Sequence, residues 1–257
     1  MLIILFYLLV VICPILFWFW FFIWEDRVDP EPKKVLIQIF LIGAGVAVFA
    51  ATIEESIFRI GLRFPESSLI EFIMAKNVPL TTFIELFFAG LIEETLKFLA
   101  LREFAYSKTE FNQIADGLIY GVSLALGFVF IENSFYFYEL YTTFSGSGFA
   151  IGVILRGIIS TLLHITAAGI IGYSLGKKKF SQKHSNKIII AGLFIAVLLH
   201  GTFNVLLIFE NGILVAIPLV LFAFIYLLIL LNKQETKTIW KLVSVKKSSS
   251  VLPVNNA

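Results

Sequence analysis

Apolar residues in this chain come in unbroken runs. They show neither the alternation of a half-buried strand nor the single stripe of a surface helix. The runs predict seven helices, at about 1–24, 35–53, 83–101, 117–138, 150–175, 188–209 and 213–231. Each is near the ~20 residues an apolar helix needs to cross a bilayer. The stretch 54–82 breaks the pattern. Glu54, Glu55, Arg59, Arg63, Glu66, Glu71 and Lys76 are mixed with apolar residues there, and Pro65 and Pro79 interrupt it. It reads as interfacial or broken helix outside the hydrocarbon. Gly146 and Gly148, beside Ser145 and Ser147, read as a flexible external loop. Residues 1–231 thus form one transmembrane domain, and 232–257 form a polar tail with disorder expected from about Ser248. The first run sits where a signal peptide would. It lacks a basic start, however, and closes on Trp18, Trp20 and Trp24, so it reads as a retained helix with an interface belt.

Composition supports an all-α, polytopic membrane helix bundle. Hydrophobic residues make up 59% and charged residues 15% of the 257, with 28 Phe, which excludes an ordinary soluble domain. No basic region suits nucleic acid. The single Cys13 excludes a disulfide framework and a cysteine metal cluster, and reads as a small buried hydrophobe. Charge also sets an orientation. Of the 20 Lys and Arg residues, Lys97 and Arg156 lie inside spans, and Arg59, Arg63 and Lys76 lie on one side of the membrane. All the others fall in 25–34, 102–116, 176–187 and the tail, which seven spans put together on the opposite side. The positive-inside rule then makes the C-terminus cytoplasmic and the N-terminus external.

Four successive spans carry ionisable or amide side chains: Glu93, Glu94 and Lys97; Glu132 and Asn133; Arg156 and His164; His200 and Asn204, with Glu93, His164 and His200 near mid-membrane and Glu132 slightly nearer the outer side. Charges at that depth cost kilocalories each, so they must face one another or a wet cavity. Spacing agrees, since Glu93 with Lys97, His200 with Asn204, and Arg156 with Ser160 and His164 each share a helix face. A divalent metal, zinc first among candidates, gives the set a purpose. Glu132, His164 and His200 offer oxygen and nitrogen ligands, with Glu93 or Glu94 near enough to take a proton from metal-activated water. Asn204 or Arg156 would stabilise the oxyanion. Blander readings compete at each position. Glu93–Lys97 makes a neutralising pair, a lone membrane His makes packing hydrogen bonds, Asp116 serves as the N-cap of the fourth span, His184 faces solvent, and Glu210 with Asn211 makes a turn. The HExxH and GxSxG patterns are absent. Gly43, Gly45, Gly152, Gly157, Gly169 and Gly172 read as close helix packing.

In this order the motifs resemble the PrsW family of intramembrane metalloproteases, related to CAAX-processing and bacteriocin-processing membrane proteases. Its EExxK motif matches Glu93-Glu94-Thr95-Leu96-Lys97, and its FxxxEN motif matches Phe128 to Asn133. The Arg and His of the next helix match Arg156 and His164, and an HxxxN-like motif matches His200 to Asn204. Asp116-Gly117 and Gly127 also fit, and the resemblance spans about 35–231. The wider group often has His where this chain has Glu132. The resemblance implies Glu93 as general base with Glu94 in support, metal roles for Glu132, His164 and His200, and a membrane-protein substrate such as an anti-sigma factor in a bacterial cell membrane. Two other classes remain: an ion-coupled transporter, for which inverted repeats and broken helices would speak, and a catalytically silent scaffold. Prenyl-protein processing is a further enzymatic reading. Oligomeric state leaves no trace in the sequence.

Overall fold

The computed structural model describes residues 2–60, 80–143, 146–180, 186–209 and 211–249. Among these, seven helices follow one another. Helix α1 is continuous through Leu2–Tyr7, a π segment Leu8–Ile12 and Cys13–Glu25. Then come α2 (Lys33–Ile60), α3 (Leu80–Phe104) and α4 (Ile114–Thr143). Helix α5 joins Gly146–Leu155, a π segment Arg156–Ser160 and Thr161–Phe180. Helices α6 (Asn186–Leu206) and α7 (Gly212–Ser249) complete the series. No strand occurs among the described residues.

All of these except α3 are long and apolar enough to cross a membrane by length and composition. Helix α3 has 25 residues, enough for the crossing, and misses only because of its charges. Three of these, Glu93, Glu94 and Lys97, are buried in protein, so lipid never meets them. The all-α bundle expected from the runs is therefore present.

Five helices close a ring. Helix α4 packs on α2 and α5, α5 on α6, α6 on α3, and α3 back on α2. Helices α4 and α5 form its buried heart, and α1 and α7 lie outside, α1 against α4 and α7 mainly against α5. Absence of Cβ sets how closely the central helices approach. A Cβ on Gly117 or Gly172 would run into the other's backbone carbonyl across the α4–α5 contact, and Gly43 similarly meets Leu124 of α4. Gly45, expected to pack likewise, has nothing within 4 Å of the place a Cβ would take. It lines an open apolar groove between α2 and α3.

Several boundaries differ from the sequence reading. Helix α2 does not stop at 53 but carries Glu54 and Glu55 on to Ile60, because the helical face of Ala47, Ala50 and Ala51 continues through Glu54. The rest of the interfacial stretch, 61–79, lies outside the described residues, as do Ser145, His184 and Glu210. Gly146 and Gly148 belong to the first turn of α5 rather than to a loop. Residues 232–249 of the tail extend α7, and 250–257 are not described. Cys13 is exposed on the outer face of α1, not buried.

Asp116 does cap α4, but from inside. Its Oδ2 accepts the backbone N–H of Asn112 at 2.7 Å and of Gln113 at 2.8 Å, the backward half of a capping box. Around it, at the end of the bundle opposite the site described next, gather Asp26, Glu31 and Glu235, all buried. Asp26 accepts the N–H of Glu31 at 2.8 Å, and Tyr120 donates its hydroxyl to Glu31. Burial pushes both Asp26 and Glu31 up to about 8.

Candidate functional site

Three residues of α3, one turn apart, start the site. Glu93, Glu94 and Lys97 sit at i, i+1 and i+4, so one helical face presents two carboxylates and an ammonium. Lys97 is fully buried, and its Nζ lies 2.8 Å from Glu94 Oε1 and 3.3 Å from Glu93 Oε2. It also lies 2.7 Å from His164 Nδ1 and 3.9 Å from the centroid of the Phe128 ring. An ammonium can only donate. His164 Nδ1 therefore accepts, and the neutral ring carries its proton on Nε2. That nitrogen is 2.8 Å from Glu132 Oε2. Phe128, one turn before Glu132, stacks on the His164 ring with centroids 5.3 Å apart and fixes its plane.

His200 reaches the cluster from α6. Its Nδ1 lies 2.7 Å from Glu94 Oε1, and its ring meets His164 edge-on with centroids 4.8 Å apart. This reach depends on two glycines. A Cβ on Gly90 would fall 2.9 Å from the backbone nitrogen of Gly201, so α3 and α6 touch backbone to backbone beside Glu94 and His200. One turn further, Asn204 donates to the Leu86 carbonyl at 3.2 Å.

Glu132 is held on its other side. Arg156 donates Nη2 to Glu132 Oε1 and lies over the Tyr136 ring. Arg156 opens the π segment of α5. Wider turns of this kind re-aim side chains and concentrate at functional sites. Here Arg156 and His164 both end on the one carboxylate of Glu132.

A cavity of about 620 Å³ adjoins the cluster. Glu54, Glu93, Glu132, Arg156 and Asn204 line it among apolar side chains. Its remaining walls include Glu55 of α2, Glu139 near the end of α4, and Leu207 and Ile208 just past α6. The cavity therefore belongs to the bundle end where α2, α4 and α6 finish, away from the lysines at the end of α5.

The structure thus links six of the seven sequence-predicted site residues through contacts that run from Arg156 through Glu132 and His164 to Glu93, Glu94 and His200, and Asn204 lines the same cavity as Glu93, Glu132 and Arg156. Ligand atoms of Glu93, Glu94, His164 and His200 all lie within 4.8 Å of one another. Glu132 joins them through the far nitrogen of His164. Two carboxylates and two imidazoles suit a divalent ion, and Glu94 Oε2 is buried with no hydrogen-bond partner among the protein atoms. The donor set fits the metal that the sequence pattern implied. Sequence reasoning missed Glu54, whose place on the Ala47, Ala50, Ala51 face was the available signal, and missed Gly90 and Gly201.

Residues 31–230 match the description of PrsW family intramembrane metalloproteases. The chain belongs to the PrsW family. The match takes in the whole ring α2–α6 and the first half of α7, with every residue of the cluster, and leaves out α1. Protease PrsW of Clostridioides difficile is 32% identical over 205 residues, covering 79% of this chain and 79% of the relative. Protease PrsW of Halalkalibacterium halodurans is 30% identical over 203 residues, 78% of this chain and 84% of the relative. The Bacillus subtilis protein of the same name is 28% identical over 206 residues, 79% and 83% of the two chains. No solved structure matches the chain. PrsW membership makes this a multi-pass membrane protease, which displaces the transporter and the silent scaffold.

Proposed function

We propose that the buried Glu–His cluster is the peptide-hydrolysing centre of this protease, with Glu94, His164 and His200 holding a divalent ion. The observation that carries this is the convergence of two carboxylates and two imidazoles from three helices within 4.8 Å, beside a cavity that Glu93 lines. Zinc is the ion this donor set favours. When bound, it supplies Lewis acidity toward water and a peptide carbonyl. Glu94 Oε1 and His164 Nδ1, which meet the Lys97 ammonium in the structure, are among the atoms that would hold the ion.

The chain's own residues do the rest. Glu93 faces the cavity, whereas Glu94 is fully buried. Glu93 is therefore the base that accepts the proton of the attacking water and returns it to the leaving amine. Glu132, a ligand in the sequence reading, takes a supporting role in this one. It holds His164 in one tautomer from the Nε2 side, as carboxylates do behind ligating imidazoles. Arg156 neutralises Glu132, and Asn204, which lines the cavity with Glu93, is the donor for the oxyanion.

The substrate we propose is a membrane-anchored protein, the anti-sigma factor implied by resemblance being one member of that class. Charge bias places the lysine-rich end and the C-terminus in the cytoplasm. The cavity, at the opposite end, then admits its substrate from the external side. Metal analysis of the purified, folded protein tests the ligand set. About one ion per chain is expected for the wild type, with loss in Glu94→Gln and in His200→Ala. Unchanged stoichiometry in both folded variants contradicts it.

A further inference from the structure

Helices α5, α6 and α7 leave a second large space between them, about 690 Å³, separate from the catalytic cavity. Its walls are mostly apolar: Ile195 and Leu198 of α6 and Leu219 and Ala223 of α7 are among them. It lies along the membrane-spanning parts of all three helices. A mostly apolar groove at this depth is filled by something mostly apolar, since water along its aliphatic walls would meet few polar partners.

One end of the groove has a different chemistry. Lys177, near the end of α5, and Lys187, in the first turn of α6, both line it. Lys177 is exposed, with its Nζ 5.6 Å from the Tyr173 ring centroid. Tyr173 and Tyr226 line the walls as well. The N-terminal turn of the 21-residue α6 adds backbone N–H groups that have no partner within the helix. Cations, tyrosines and a helix N-terminus at one end, with aliphatic walls beyond, match one anionic head and one apolar chain.

Dimensions agree. From Lys187 to Thr202, the outermost residues of α6 that line the groove, the helix rises about 22 Å at ~1.5 Å per residue, and one leaflet with its headgroup region is about 20–22 Å thick, half of ~40–45 Å. The groove runs from headgroup level to the middle of the membrane. The lysine-rich end is also the side where a bacterial membrane is met by the positive-inside bias, and basic pockets between helices on that side take anionic headgroups.

We propose that this groove is a binding site for one anionic phospholipid of the leaflet at the lysine-rich face, its phosphate on Lys177 and Lys187 and an acyl chain between α6 and α7. The site is independent of the catalytic reading. The lipid fills the space where α7 stands off from α6, and so fixes the outer helix to the ring.

The test uses the purified full-length protein, loaded in nanodiscs of phosphatidylglycerol or phosphatidylcholine and then read by native mass spectrometry after transfer to detergent. One retained phosphatidylglycerol per chain is expected. Its preference over phosphatidylcholine should be about 30-fold, as two lysines at ~1 kcal/mol each would give. In the Lys177→Gln, Lys187→Gln double variant that preference should fall to near unity. Ala223→Phe, which fills the groove, should abolish retention of both lipids. Equal retention of the two lipids by the wild type, or no retained lipid, overturns the proposal without reliance on any variant. So does retention of phosphatidylglycerol by Ala223→Phe. A photo-crosslinker at Leu198 distinguishes occupants: capture of phospholipid supports the site, and capture of a second copy of the chain overturns it.

Discussion

At the residue scale, the decisive feature is how few atoms separate opposite charges far from water. Lys97 is fully buried and sits against Glu93, Glu94 and His164. Such burial is tolerated because the charges are paired and hydrogen-bonded, and removing one partner strands the other. The sequence showed Glu93, Glu94, Glu132, His164 and His200 plainly, since each is expensive in lipid and all lie at one depth. It showed Lys97 on the face of Glu93 but not that its ammonium also meets Glu94 and His164, because helical spacing reports faces and not which atoms fill the middle. Nor did it show the role of Gly90, which reads as any membrane glycine until Gly201 is seen across from it. That contact carries a prediction. In Gly90→Ala the new methyl meets the Gly201 backbone, which has no side chain to rotate away. Ala gains ~1 kcal/mol of helix propensity, so stability changes little, but α3 and α6 must part. A misplacement of about 1 Å costs about 10²-fold in rate. Cleavage assays beside thermal melts check it, and wild-type activity in the variant contradicts the geometry.

At the element scale, all seven helices were legible because their apolar runs reach spanning length. The π segment Arg156–Ser160 was not, because a one-residue widening leaves no mark on composition. The acidic group at the other end was also invisible. Asp26, Glu31, Asp116 and Glu235 come from α4, α7 and the α1–α2 connection, and nothing local says they meet. Asp26 and Glu31 are held up at about 8 by burial, against ordinary values of 3.8 and 4.5. A raised carboxyl binds its proton more tightly folded than unfolded. Its stabilisation is complete below the unfolded value and is lost as pH rises through the folded one. Melting temperature in detergent should therefore fall between about pH 4 and about pH 8 and level off above. Asp26→Asn with Glu31→Gln should flatten that slope. An unchanged slope in the double variant contradicts the assignment.

At the scale of the whole molecule, a ring of five helices carries the Glu–His cluster, and α1 and α7 brace it from outside. The orientation rests on lysine and arginine bias, and it decides which face of the membrane the cavity serves. Cysteine accessibility checks it in a Cys13→Ser background. Lys237→Cys, exposed on the extension of α7, should label only after cells are opened, and Tyr141→Cys, exposed at the other end, should label in intact cells. The reverse pattern inverts the orientation. The catalytic claim is tested most directly in proteoliposomes, where purified protein meets a set of membrane-anchored peptides and the products are mapped by mass. Wild type should cut at a bond near the external surface. Glu93→Gln should insert, fold and keep its metal while losing about 10²- to 10⁴-fold in rate, and Glu93→Gln with Lys97→Gln should not recover. Cleavage by Glu93→Gln at the wild-type rate, or recovery in the double variant, would contradict the assignment of Glu93 as the base.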